Sequence, residues 1–236
     1  NGRRRQRQMC IRDRYKDISF SDRAKIPFSA KGGRNKNTIK RSDWQKILIE
    51  KGYFARSVPK KYGGYGGETD ILKSRIIASE FSKFKIPTPM GGQGIDMLVP
   101  TLLELGTEQQ KEKYIKPTLH GEMIWCQGNS EPNAGSDLAS LQTKAELING
   151  EWVINGQKIW TSTAQYAHMM FCLVRTEPDA SKHAGISYLL IPMDTPGIEI
   201  RPLVDMTLKA GFNEVFFTDV KTVSYTHLRA HETIAD

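Results

Sequence analysis

The feature that most constrains this chain is a change in the spacing of its apolar residues near Glu122. Before that point they recur at three- to four-residue intervals, the period of a helix with one buried face. After it they alternate with polar residues in short runs: MIWCQG, AELI, EWVI, QKIW, MMFCLVRT, GISYLLIPM, GIEIRPL and NEVFFTDV. That is the period of a strand. Two periods in separate parts of one chain predict an α+β fold, helical first and β afterwards.

In the helical part, spanning 15–122, the punctuation is specific. Ser42 with Gln45 predicts a capping box for a first helix, with Trp44, Ile47 and Leu48 on one face and Gly52 as its left-handed stop. VPKKYGGYGG at 58–67 predicts a turn-rich connector. A second helix is expected over 70–85, with Leu72, Ile76, Ile77 and Phe84 at helical spacing and Pro87 beyond it. A third is expected over 95–105 with Pro100 as kink or start, and a fourth over 108–115 with Thr107 and Gln110 as its capping box. In the β part, Asn149-Gly150 and Asn155-Gly156 sit between strand-like runs and predict hairpin turns, because Asn-Gly tolerates positive φ. With Pro192, Pro196 and Pro202 marking the later strands, an antiparallel β-barrel or sandwich is expected over 123–222.

Composition serves mainly to exclude. The chain has 236 residues, 39% hydrophobic and 25% charged, as ordinary globular proteins do. No apolar run approaches the roughly 18 to 20 residues of a membrane span, and the first thirty residues hold no secretory signal, so a cytoplasmic protein is expected. Cys10, Cys126 and Cys172 are widely spaced and read as small buried hydrophobes, with neither a disulfide framework nor a zinc site. Of His120, His168, His183, His227 and His231, none forms a ligand pair at helical spacing before the tail read as artefactual, and no metal is expected. Met169 and Met170 read as core.

The formal charge of +8 raises nucleic-acid binding, but residues 1–14 carry +5 of it, residues 224–236 carry −1, and the 209 residues between carry only +4. An arginine-rich RNA-binding arm would need interleaved aromatics or a recognisable module, and neither is present. The strings QRQMCIRDR at 6–14 and SYTHLRAHETIAD at 224–236 look like translated sequencing-adapter read-through. Residues 1–14 and 223–236 are therefore expected to be artefactual tails.

Two stretches carry chemistry. GNSEPNAGSDLAS at 128–140 is a loop whose backbone donors and short hydroxyls can cradle a planar polar ring or a phosphate; an ordinary interstrand loop is the alternative. QKIWTSTAQYA at 157–167 places Trp160 beside hydroxyls at Thr161, Ser162 and Thr163. An indole can cover one face of an aromatic cofactor while neighbouring hydroxyls meet its heteroatoms, and a core tryptophan at a strand end is the alternative. YGGYGG at 62–67 lacks both a preceding strand and the G-x-x-x-x-G-K pattern, so it reads as a connector and not a phosphate loop.

Together these stretches resemble the acyl-CoA dehydrogenase family, over about residues 42–222. Ser130-Glu131-Pro132 and Gly135-Ser136-Asp137 are similar to its flavin-loop signature, and KIWTS to its second flavin segment. VPKKYGG at 58–64, GTEQQKEKYIKPTLHGE at 106–122 and NEVFFTDVK at 213–221 fit its helical domain and the exit of its β-domain. The wording WCQGNSEPNAGSDLASL is similar to a bacterial branch that handles varied CoA thioesters, steroid side chains and dicarboxylates among them. Asn129 departs from the aliphatic or aromatic residue common at its place.

The resemblance implies FAD as cofactor and α,β-dehydrogenation of an acyl-CoA thioester to the trans-2-enoyl-CoA, in lipid metabolism. A carboxylate takes the α-proton, the β-hydride goes to flavin N5, and electrons leave to an electron-transfer flavoprotein. It implies cofactor contacts from Gln127, Gly128, Asn129, Ser130, Gly135, Ser136, Trp160, Thr161 and Ser162, with Trp160 packing on the flavin, Ser162 near N5, and Ser136 also touching the CoA substrate. Glu131 and Asp137 are expected to brace the loop. The catalytic base is expected from a C-terminal helical bundle outside these residues, so the chain alone is expected to bind FAD weakly and not turn over. The parent is expected to be a homo- or hetero-tetramer. An acyl-CoA oxidase or monooxygenase on the same scaffold, or a silent CoA-binding subunit, are the alternatives; oxygen consumption by the parent separates the first, replacement of the base the second.

Overall fold

A computed structural model describes residues 39–181, 183–204, 206, 208, 211–223 and 227–228. Cys10, His231 and nearly all of the two terminal strings lie outside them. The chain separates into two compact units, one reaching to Met90 and taking in Leu119–Glu122, the other formed by Gly91–Thr118 and the residues from Met123 onward. Among the described residues, no helix is long and apolar enough to cross a membrane. No group of three or more His, Cys, Asp or Glu side chains gathers among them as a metal site.

The first unit is built on helices α1 (Arg41–Glu50) and α2 (Ile71–Lys83). Trp44, Leu48, Phe81 and Ile86 form its buried core, with Ile47 and Ile77 packed against it. The expected capping box at Ser42 does not form: α1 begins at Arg41, and Lys40 precedes it without a side-chain cap. Gln45 is committed elsewhere, fully buried and accepting from Met90 N at 2.9 Å while donating to Met90 O at 3.4 Å. A buried amide must satisfy both ends, and the extended backbone at Met90 does so. Gly52 ends α1 in the expected left-handed conformation, with φ +70°. Asp70 caps α2 by accepting from Lys73 N at 2.9 Å. On α2 the buried face runs through Ile77 and Phe81, whereas Leu72, Ile76 and Phe84 of the expected apolar set are exposed. The connector contains a short 3-10 turn at Lys60–Tyr62, and Gly64 packs so closely that a Cβ would stand 2.2 Å from Val58 O.

In the second unit a π-helical turn, Gly94–Leu98, runs directly into α3 (Val99–Leu105), and Pro100, which has no N–H to donate, sits where the one passes into the other. Helix α4 (Glu108–Leu119) opens with the expected capping box: Gln110 N donates to Thr107 Oγ1 at 3.2 Å and Thr107 N to Gln110 Oε1 at 2.9 Å. It continues four residues past the expected end, through Pro117.

Eight strands are described: β1 (Trp125–Gly128), β2 (Lys144–Ile148), β3 (Glu151–Ser162), β4 (Met169–Arg175), β5 (Ile186–Pro192), β6 (Ile198–Leu203), β7 (Phe212–Val223) and β8 (His227–Leu228). They form one mixed sheet in the order β6-β7-β3-β2-β4-β5-β8, with β1 added on β4. Most pairings are antiparallel as expected; β1 with β4, and one residue pair of β2 with β4, are parallel. β8, inside the segment read as a tail, pairs with Tyr188 and Leu189 of β5. Asn149-Gly150 makes the expected two-residue hairpin, with both φ values positive. Asn155-Gly156 does not turn the chain, because β3 runs straight through it. Asn155 instead braces a bulge on β7, donating to Asp219 Oδ1 at 3.0 Å and accepting from Asp219 N at 2.9 Å. Gly156, at φ +150°, lets Thr143 approach to 2.7 Å of where its Cβ would lie. Cys126, Met170 and Cys172 are fully buried in the core of the sheet with Leu189, Ile191, Val215 and Val220, and Met169 is nearly so.

Candidate functional site

The two stretches singled out from the sequence lie side by side. β1 ends at Gly128, which packs against Met170 and Cys172 so tightly that a Cβ would stand 2.6 Å from Met170 Sδ. The chain then runs along β3: Ile159 N donates to Ser130 O at 2.9 Å, and Lys158 Nζ donates to Asn129 O at 3.1 Å. Glu131 and Ala134 close the loop through a two-way bridge, N to O at 2.8 and 3.1 Å. Beyond the bridge, a Cβ on Gly135 would meet nothing within 4 Å, and Ser136 is exposed.

An ion pair that the sequence did not reveal holds this arrangement. Lys158 Nζ lies 2.8 Å from Glu131 Oε1, with both side chains buried. Glu131 also accepts from Gln142 N at 2.6 Å and Thr143 N at 2.9 Å. Burial, the largest single influence, pushes the Glu131 carboxyl up, but the Lys158 ammonium and the bonds from Lys158, Thr143 and Gln142 together outweigh it and hold the carboxyl below its ordinary value. Glu131 thus braces the loop, as expected, and is a poor proton acceptor. Lys158 shares the inward parity of Ile154 on β3; a lysine at an inward position calls for a buried acid, and that was the legible signal. The Asp137 carbonyl contributes further, accepting from Ser140 N at 3.1 Å and Ser140 Oγ at 2.8 Å.

Trp160 is not a core tryptophan. It is 60% exposed and adopts φ +59°, at a place where the β3–β7 register shifts between Lys158 and Thr161. Glu214 of β7 thus faces both Ile159 and Trp160, a bulge that turns the indole out of the ladder. The ring meets Phe212 edge-on, centroids 5.9 Å apart at 84°. A large aromatic held exposed in a left-handed conformation is the pattern of a site rather than of packing. Thr161 points the other way and is buried. Ser162 is half-buried, its carbonyl accepting from Thr163 Oγ1 at 2.6 Å. Gln127, on β1, accepts from Gln93 Nε2 at 3.4 Å, which brings the π-helical turn to the same strand.

The residues present fit a flat aromatic cofactor with a polar edge. Asn129 Oδ1 and Thr161 Oγ1 are buried without a hydrogen-bond partner, and buried polar atoms are rarely left so. The exposed indole of Trp160 supplies an apolar plane, and Thr161, next in sequence, turns away from it into the sheet.

Comparisons with known proteins place the chain in a family. The family model described as "Acyl-CoA dehydrogenase, N-terminal domain" matches residues 10–122, and "Acyl-CoA dehydrogenase, middle domain" matches residues 126–220. The chain is 44% identical over 182 residues to acyl-CoA dehydrogenase IpdE1 of Mycobacterium tuberculosis strain ATCC 25618 / H37Rv, covering 77% of this chain and 47% of that protein. Among solved structures it is similar to the "Tcur3481-Tcur3483 steroid ACAD", with TM-score 0.71 and 29% identity over 97% of this chain and 57% of that one. It is also similar to an acyl-CoA dehydrogenase complexed with FAD from Bacillus anthracis, with TM-score 0.60 and 26% identity over 80% of this chain and 32% of that one. The chain thus spans about half the length of IpdE1. Two family models in their proper order, and the fold they share with solved members, establish that this chain belongs to the acyl-CoA dehydrogenase family.

Proposed function

We propose that this chain provides the flavin-facing segments of an enzyme that converts an acyl-CoA thioester to its trans-2-enoyl-CoA and passes the electrons to an electron-transfer flavoprotein. The observation that carries the reading is Trp160, exposed and left-handed, joined to the Asn129–Ser130 segment through the Ile159–Ser130 hydrogen bond. FAD, when bound, takes up the hydride leaving the β-carbon. In this chain the indole of Trp160 covers one face of the ring and excludes water from it. Asn129 would offer its unpartnered polar atom to the edge of the ring, and Ser162 a hydroxyl where negative charge builds, while Thr161, turned into the sheet, would hold the strand behind Trp160. Gln127, Gly128 and Ser130 line the same side, while Gly135 and Ser136 leave open backbone for the CoA moiety.

The α-proton needs a base, and Glu131 is committed to Lys158, Gln142 and Thr143. As the family resemblance implies, the base is assigned to a part of the enzyme outside these residues. Similarity to the Tcur3481-Tcur3483 steroid ACAD supports a steroid-bearing CoA thioester as substrate, and assembly with a second kind of subunit.

The reading is tested by titrating the chain with FAD and following flavin fluorescence. Saturable quenching is expected, weakened about tenfold or more in W160A, which corresponds to about 1.4 kcal/mol. Absence of saturable quenching in the unaltered chain would overturn the reading. Bleaching of the bound flavin by an acyl-CoA, with this chain alone, would overturn the assignment of the base elsewhere.

A further inference from the structure

The conformation of Trp160 needs something to hold it, since the left-handed region is sparsely populated by non-glycine residues unless their surroundings over-determine it. On its N-terminal side, Ile159 N is fixed by Ser130 O. On its C-terminal side the ladder resumes at the pair Thr161–Asn213. Asn213, the second residue of β7, is fully buried. Its Nδ2 donates to Thr161 O at 2.9 Å and to Gln165 Oε1 at 2.5 Å, so one amide ties the residue after the bulge to the 3-10 turn Ala164–Tyr166. That turn is entered through a second left-handed residue, Thr163 at φ +61°. Trp160 thus directly precedes the stretch 161–165 that Asn213 grips, and Thr163 lies inside it. The adjacent Phe212 touches the indole itself. On its other side Asn213 faces Pro202 of β6, which has no N–H to offer, and Asn213 Oδ1 is buried without a partner.

We propose that Asn213 is a positioning residue for the flavin face: its carboxamide fixes the return of β3 into register and so holds the Trp160 bulge with the indole presented outward. Its functional meaning rests on the flavin reading; its geometry does not. Asn213 acts through Trp160 and need not touch cofactor or substrate. A buried asparagine that merely fills the sheet would stabilise the fold without any special link to Trp160.

The test labels the whole chain with 5-fluorotryptophan and follows the fluorine resonances of Trp44, Trp125, Trp152 and Trp160, the last assigned by its loss in W160F. In N213A, and in N213L, which keeps about the same size but can donate nothing, the Trp160 resonance is expected to shift and broaden. Those of Trp125 and Trp152 should stay in place and report an intact sheet. If N213A does not fold, N213L, which fills the site without burying a charge, decides the matter. Unfolding constants of N213A, W160G and the double variant are then compared: the effect of N213A should shrink at least fivefold once glycine removes the need to hold a left-handed residue. An unmoved Trp160 resonance in a folded Asn213 variant, or effects of N213A and W160G that simply multiply, would refute the proposal. Adding FAD separates the two readings. If no resonance responds to FAD, the flavin assignment fails, while the coupling of Asn213 to Trp160 stands or falls on the fluorine and unfolding data alone.

Discussion

Replacing Lys158 by methionine isolates the buried ion pair that joins the two segments proposed to face the flavin. K158M keeps the length of the side chain and removes the cation, leaving the Glu131 carboxylate buried with only Gln142 N and Thr143 N as donors. Breaking a buried pair by removing one partner costs about 3–5 kcal/mol. The two remaining main-chain donors keep this variant near the lower end, about 3 kcal/mol, a drop of about 6–12 °C in melting temperature for a chain of this size. The loss should depend on pH. In the unaltered protein the Glu131 carboxyl sits below its ordinary value, so its contribution is complete above that value and disappears as pH falls through the lowered one. In K158M the ammonium and its hydrogen bond no longer oppose burial, the carboxyl moves up, and protonation relieves the variant. The stability gap is therefore expected to narrow as pH falls from about 7 to about 5, within the range a displaced carboxyl can titrate. Urea unfolding followed by far-UV circular dichroism at the two pH values measures this. E131Q/K158M, which buries no charge, should recover about half of the loss or more. A gap under about 1 kcal/mol at neutral pH, below the range for breaking a buried pair, would refute the reasoning. So would a gap that does not change with pH.

Three further outcomes follow from the same coordinates. G156A should destabilise by about 2–4 kcal/mol in chemical denaturation, because it forces a Cβ onto Thr143 at an unfavourable φ; an effect below about 1 kcal/mol would mean that the sheet yields there. Q45A should cost about 1–3 kcal/mol by leaving both main-chain groups of Met90 unpaired, and faster amide exchange at Met90 would report it directly. W160A should leave the unfolding midpoint within about 0.5 kcal/mol while weakening FAD, since the indole is largely exposed; a large loss of stability would return Trp160 to the core.

Much of this fold was legible in local patterns. The period change separated helices from strands, Thr107 and Gln110 capped α4 reciprocally, and Asn149-Gly150 turned the chain. These signals succeed because each depends on residues a few positions apart. The failures share the opposite property. Ser42 and Gln45 have the spacing of a capping box, but Met90, 45 residues away, takes the Gln45 amide. Asn155-Gly156 has the letters of a hairpin, yet Asp219, 64 residues away, makes it the brace of a bulge. Leu72 and Ile76 fit the helical spacing as well as Ile77 does, and only packing against Trp44 and Leu48 chose the buried side.

The candidate site divides in the same way. The sequence by itself singled out two segments, GNSEPNAGSD and KIWTS, whose residue types can cradle a planar cofactor. It also determined the family resemblance. Tertiary structure alone decided how those segments act together: Lys158 reaches 27 positions back to Glu131, and Asn213 reaches 52 positions back to Thr161. A left-handed tryptophan cannot be inferred from neighbouring letters, because its cost is met by hydrogen bonds from distant strands and by a one-residue slip in the pairing of β3 with β7.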